Sequence, residues 1–160
     1  MLPLDGALDQ FYREHRQQLF TCALAVTRCA DRAEDAIQEA FYRLFRLGVQ
    51  PQNLKAYVFR AVRNAAIDQL QRNPIPGDAI PEFIFDPRPG PCEAAADREF
   101  QQRATTALMG LSEDQSETIL QHLYGNLTFR EIAEIREAPL GTITSWYQRG
   151  LEKLRVELEE

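Results

Sequence analysis

Apolar residues return every three or four positions through most of the chain, the spacing of a helix face, and no strand-length run alternates at a period of two. Leu8, Phe11, Tyr12, Leu19, Cys22, Ala23 and Val26 mark a first amphipathic helix. After a break at Ala30-Asp31, the residues Ala33, Ala36, Ile37, Ala40, Phe41, Leu44 and Phe45 mark a second. Asp31, with Glu34 three places on, reads as its cap, and Gly48-Val49-Gln50-Pro51 ends it and opens a loop. A third helix is expected from about Leu54 to Arg72, with Val58, Val62, Ala65 and Leu70 on its apolar arc.

Pro74, Pro76, Pro81, Pro87, Pro89 and Pro91 then crowd one segment, and residues without a backbone donor forbid regular helix there. This segment reads as a flexible tether, with an extended segment that docks through its apolar patch Phe83-Ile84-Phe85 the alternative. Helical spacing resumes from Glu93 to Met109. Ser112 to Gln115 and Thr128 to Glu131 each place a hydroxyl three residues before a side chain that can reach back to the cap amide, so each starts a helix. Past the turn Glu137-Ala138-Pro139-Leu140-Gly141, a last helix from about Thr142 buries Ile143, Tyr147, Gly150, Leu151, Leu154 and Leu158. The expected fold class is all-α, with two small helical domains, residues 1–72 and 101–160, joined by an acidic, proline-rich linker, residues 73–100.

Composition narrows the class. With 44% hydrophobic and 26% charged residues in 160, the chain is an ordinary globular one, which excludes wholesale disorder and collagen. A net charge of -6 argues against a protein that coats nucleic acid without discrimination. The charge is uneven: residues 1–72 carry ten basic and eight acidic groups, net +2, whereas residues 101–160 carry six and ten, net -4. Cys22, Cys29 and Cys92 form no C-x-x-C pair and cannot all be bridged within one chain, so a reducing compartment, the cytoplasm, is expected. No apolar run has membrane-spanning length and the start lacks a signal-peptide pattern, so neither insertion nor export is expected.

Two surfaces carry candidate chemistry. A short helix, a tight turn and a longer helix describe a helix-turn-helix unit, whose last helix leaves Thr142, Thr144, Ser145, Gln148 and Arg149 facing away from the core, where they can meet base edges and phosphates. The bland alternative is a helical hairpin with a solvated polar face. On the third helix, Tyr57, Arg60, Arg63, Asn64, Ile67, Asp68 and Gln71 form a basic and aromatic stripe suited to an unpaired strand, against the alternative of a solvated surface. Catalytic constellations, phosphate-binding glycine loops and metal-ligand spacing around His15 or His122 are missing, so no catalytic residue, metal or cofactor is expected. Asp35 and Glu39 read as a face toward solvent or a partner, and Cys22 and Cys29 as core fillers, with a redox switch the alternative.

Four runs, Ala33 to Phe41, Ala61 to Asp68, Thr128 to Glu134 and Pro139 to Ile143, together resemble the bacterial sigma factors of the extracytoplasmic-function group, from region two through the linker to region four. The resemblance implies a dissociable, non-enzymatic subunit of RNA polymerase in the bacterial cytoplasm that directs it to promoters and helps open them. It implies that Asp35, Gln38, Glu39 and Phe41 bind the clamp helices of the largest polymerase subunit. Arg63, Asn64 and Asp68 then handle the minus-ten element, the loop Gly48 to Leu54 pockets a flipped base, and the helix from Thr142 reads the minus-thirty-five element. It further implies that the linker threads toward the polymerase active centre and that an anti-sigma factor covers both DNA-binding and polymerase-binding faces. The chain departs from the family pattern where Thr144 and Trp146 flank Ser145 in place of positive charges, and where Glu137 stands at a turn position that usually holds glycine. The rival readings are a sigma-like regulator with little DNA affinity and a stand-alone helix-turn-helix repressor.

Overall fold

The computed structural model describes residues 4–48, 51–74 and 95–159. Among these the regular elements are all helices: α1 (Leu4–Thr27), α2 (Ala30–Leu47), α3 (Leu54–Arg72), α4 (Ala95–Met109), α5 (Glu113–Leu123), α6 (Phe129–Arg136) and α7 (Leu140–Glu159). Residues 75–94, which hold all of the proline-rich segment but Pro74, and the loop residues Val49 and Gln50 lie outside the described residues.

Helices α1, α2 and α3 bury their apolar faces on one another, with Leu8, Leu19, Leu24, Val58 and Val62 in the centre and Ala33, Ala36, Ala40, Ala65 and Ala66 letting backbones approach. The start of α2 differs from expectation. Its N-cap is Cys29, which makes no side-chain cap bond, and Asp31 instead lies in the first turn. There its charge still complements the unpaired amides of the helix start, which is why a cap-like signal appeared one residue pair late. The Thr27 hydroxyl holds the break, donating to the Cys29 carbonyl at 3.1 Å. Gly48 ends α2 as expected, in the left-handed region at φ 63° with its N–H on the Leu44 carbonyl, and Asn53 caps α3 by accepting from the Ala56 amide.

In the second half, Thr128 forms the full reciprocal cap: its hydroxyl accepts from the Glu131 amide at 3.1 Å and the Glu131 carboxylate accepts from the Thr128 amide at 3.0 Å. Ser112 accepts from the Gln115 amide at 3.2 Å, but no return bond forms, because Gln115 is buried and its Oε1 has no partner. Gly150 lets α7 settle on α5: a Cβ there would lie 2.6 Å from Ile119 Cδ1 and 3.3 Å from Gln115 Cβ. Gly150→Val is expected to destabilise the chain by about 1–3 kcal/mol through overpacking. Thermal melts followed by helical ellipticity check this.

The halves do not hang apart on their tether. Leu127, Ile132, Ile135 and Ile143 of the second half belong to the same buried cluster as Leu8, Phe11, Phe59 and Val62 of the first. Ala25 of α1 in turn joins Leu108, Leu111, Ile119 and Leu120 in a second cluster. Helix α5 lies on α1, and α6 on α3.

Candidate nucleic-acid interface

Burial of Val58, Phe59, Val62, Ala65 and Ala66 sets which face of α3 looks outward. Tyr57, Arg60 and Arg63 are half-buried along it and Asn64 is exposed, so the basic and aromatic stripe exists as a surface. It is not a free one. Arg63 reaches Glu117 of α5 with both prongs of its guanidinium, Nε at 2.5 Å and Nη2 at 3.4 Å. Arg60 donates to the carboxylate of Glu137, just past α6. Lys55 donates to the Asn126 carbonyl at 2.7 Å and lies 3.8 Å from the Glu131 carboxylate. Asp68, on the same helix, pairs with Arg43 of α2 at 3.6 Å.

Glu117 and Arg136 form the hub of this seam, and sequence reasoning singled out neither. The Glu117 side chain is 9% exposed; besides Arg63 it meets Arg136 at 3.5 Å and accepts from the Gln121 amide at 3.4 Å. The Arg136 side chain is 3% exposed, 2.6 Å from Asp114, and its guanidinium lies 5.0 Å from the centre of the Trp146 ring. It also donates to the Thr118 hydroxyl at 3.2 Å. Burial lowers the Arg136 pKa from its ordinary value, opposed first by the Glu117 carboxylate. The one available signal was charge within α5, a helix so enclosed that Gln115, Ser116, Glu117, Thr118 and Gln121 are all buried.

On α7, Thr142, Thr144 and Ser145 are half-buried and Gln148 and Arg149 exposed, a single polar strip. The Thr144 hydroxyl donates to the Gly141 carbonyl at 3.0 Å. Trp146 packs against the shared core under Arg136, which explains an aromatic residue where the family pattern has a cation. Glu137 takes the left-handed conformation, φ 51° and ψ 48°, that the turn demands. The histidines are structural: His122 stacks on Phe129 at 4.2 Å and His15 on Phe11 at 4.1 Å.

Helix α2 offers the third candidate surface. Asp35 and Gln38 are exposed, while Glu39 is half-buried and ties Arg43 at 2.6 Å and Arg72 at 3.2 Å. Phe41 requires correction as a partner-facing residue: it is 8% exposed and meets Tyr12 edge to face at 5.5 Å. One turn beyond Ile37, it falls on the helix's inner side. Tyr42, 63% exposed, and Phe45 are the aromatics this helix shows to solvent. Asp35, Gln38, Glu39 and Tyr42 share an open depression with Arg72 and Asn73 of α3 and its end.

Comparison with known proteins covers both halves. Residues 11–74 match the family described as Sigma-70 region 2, and residues 101–154 that described as Sigma-70, region 4. The chain is 28% identical to the ECF RNA polymerase sigma factor SigE of Mycolicibacterium smegmatis over 92% of its own length, although that match spans only 60% of the relative. It is likewise 28% identical to the ECF RNA polymerase sigma factor RpoE of Cereibacter sphaeroides, over 77% of this chain and 68% of that one. The sigma factor RpoE from Bartonella quintana, solved in complex with the anti-sigma factor NepR, shares the fold with a TM-score of 0.72 at 23% identity, over 96% of this chain and 97% of that one.

Proposed function

This chain belongs to the sigma-70 family, in its extracytoplasmic-function type, and on that premise we propose that it binds core RNA polymerase and directs promoter-specific initiation of transcription. The observation that carries the proposal is the presence of both family regions, in order, in one folded chain that keeps a polar α2 face and a polar α7 strip open to partners.

In this reading Asp35, Gln38 and Glu39, with Tyr42 beside them, meet the clamp helices of the largest polymerase subunit, and Phe41 supports that face from beneath. Tyr57, Arg60, Arg63 and Asn64 hold the unpaired minus-ten strand by stacking and phosphate contact. Thr142, Thr144, Ser145, Gln148 and Arg149 read the minus-thirty-five duplex. The factor itself catalyses nothing and acts in the cytoplasm, where its polymerase is; no helix among the described residues is long and apolar enough to cross a membrane. An anti-sigma protein is the proposed regulator, supported by the NepR complex of the Bartonella relative.

In vitro transcription with core polymerase on a random promoter pool tests the proposal: selected start sites are expected. Core binding without initiation would favour a sigma-like regulator instead, and tight DNA binding without core a repressor. Arg149→Ala is expected to weaken duplex binding across sequences and to reduce the slope of log affinity against log salt by about 0.9, one phosphate contact. Titrations of holoenzyme with promoter DNA at several salt concentrations measure it.

A further inference from the structure

We propose that the cavity where the end of α1, the outer part of α3 and the start of α5 meet is a binding site for a small aliphatic zwitterion of the amino-acid class, whose carboxylate pairs with Arg28 and whose ammonium pairs with Glu113. The site stands on its own geometry and is independent of the promoter reading given above.

The cavity holds about 260 Å³, below the range that encloses drug-sized ligands, so size alone selects a molecule of few heavy atoms. Its apolar lining is Ala25 and Val26 of α1 with Ile67 and Leu70 of α3. Ala25 is buried and the other three are half-buried, an aliphatic wall on which a short hydrocarbon chain leaves water. Four charged groups complete the lining, and two of them are already matched: Arg63 and Glu117 pair at 2.5 Å. Arg28 and Glu113 are different. Neither side chain meets a hydrogen-bond or ion-pair partner among the described residues, and the two stand too far apart to pair with each other. A plain anion on Arg28 would leave the Glu113 carboxylate unmatched beside it, and a plain cation on Glu113 would do the same to Arg28. A ligand that carries both charges satisfies both groups, so the lining selects for a zwitterion and against its singly charged analogues. The guanidinium fork suits a carboxylate, and a carboxylate accepts from an ammonium in a charge-assisted bond. The backbone at Arg28 adds an independent observation. Arg28 closes α1 in the left-handed region, φ 57°, with its N–H on the Leu24 carbonyl at 2.7 Å, a position where glycine would be unstrained. Strain of this kind collects at ligand sites, and here it is held by the residue that supplies the cavity's unmatched cation.

Titration calorimetry and thermal melts of the full chain test the site, with leucine as the probe against isovalerate, which lacks the ammonium, and isoamylamine, which lacks the carboxylate. Leucine is expected to saturate the chain in the millimolar range or below and to raise its melting temperature with concentration, since a ligand of the folded state stabilises it by mass action. Each singly charged analogue should bind about tenfold more weakly. Arg28→Gln and Glu113→Gln should each weaken leucine binding about tenfold and leave the melting temperature of the free protein almost unchanged, because neither side chain is paired. Arg28→Gly is the further variant: it relieves the left-handed strain, should keep the melting temperature or raise it, and should still lose leucine. No saturation by leucine in the millimolar range overturns the site. Isovalerate or isoamylamine binding as tightly as leucine overturns it too, as does leucine binding that survives undiminished in Arg28→Gly or Glu113→Gln. Transcription with core enzyme is read separately and bears on the promoter function alone.

Discussion

Arg136→Ala is expected to cost the fold about 3 kcal/mol, because removing one member of an enclosed ion network leaves the remaining buried charge with less compensation and no ready access to water. The remaining charge is Glu117, 9% exposed, which keeps only Arg63 across the seam and the Gln121 amide beside it. The guanidinium also fills the space beside Trp146 and bonds the fully buried Thr118 hydroxyl, so packing is lost with the charge. A loss of that size lowers the melting temperature by on the order of 10 °C in a chain of this length. Arg136→Lys keeps the charge but not the fork, and should fall between the two. Melts of the three proteins decide the matter: a difference under about 1 kcal/mol between Arg136 and Ala would show that Glu117 finds solvent when its partner goes.

The largest functional effect is expected on α2. Asp35→Arg combined with Gln38→Arg should weaken core polymerase binding about a hundredfold, near 2.8 kcal/mol, with the melting temperature almost unchanged. Both side chains are exposed, so a loss of affinity without a loss of stability marks a contact surface. Tyr42→Ala, which removes the most exposed aromatic of the same helix, should act in the same direction. Arg63→Ala should do the reverse, sparing core affinity and impairing promoter opening. Competition binding to core enzyme and permanganate footprinting of the opened strand separate the two. If Arg63→Ala and the α2 variant weaken core binding equally, the two faces have been assigned wrongly.

Much of the architecture was legible in the residues. The helix faces of α1, α2 and α3, the stop at Gly48, the cap at Thr128 and the burial of Ile143 and Gly150 all follow from spacing and turn chemistry over a few neighbours. The misreadings share a cause. Asp31 has the chemistry of a cap but stands inside the first turn, since the Thr27 hydroxyl already holds the break before it. Phe41 was grouped with the outward-facing Asp35 and Gln38 as a partner contact, although its spacing from Ile37 had already put it on the apolar face, and it lies in the core. Tyr42, one step further round the helix, went unremarked.

The seam itself was beyond any local reading. A basic stripe on α3 and an excess of acid after the linker were visible as charge counts, but a count does not say which carboxylate meets which guanidinium. Helix periodicity, caps and turn residues act through bonds spanning three or four positions, and so the chain alone specified its helices, their inner faces and its family motifs. Which polar face stayed open and which was covered depended on two apolar surfaces finding each other across the linker, with Leu127 and Ile132 entering the first half's core and drawing Glu117 and Glu137 onto Arg63 and Arg60. Burial is a property of the packed whole, and only the tertiary structure could assign it.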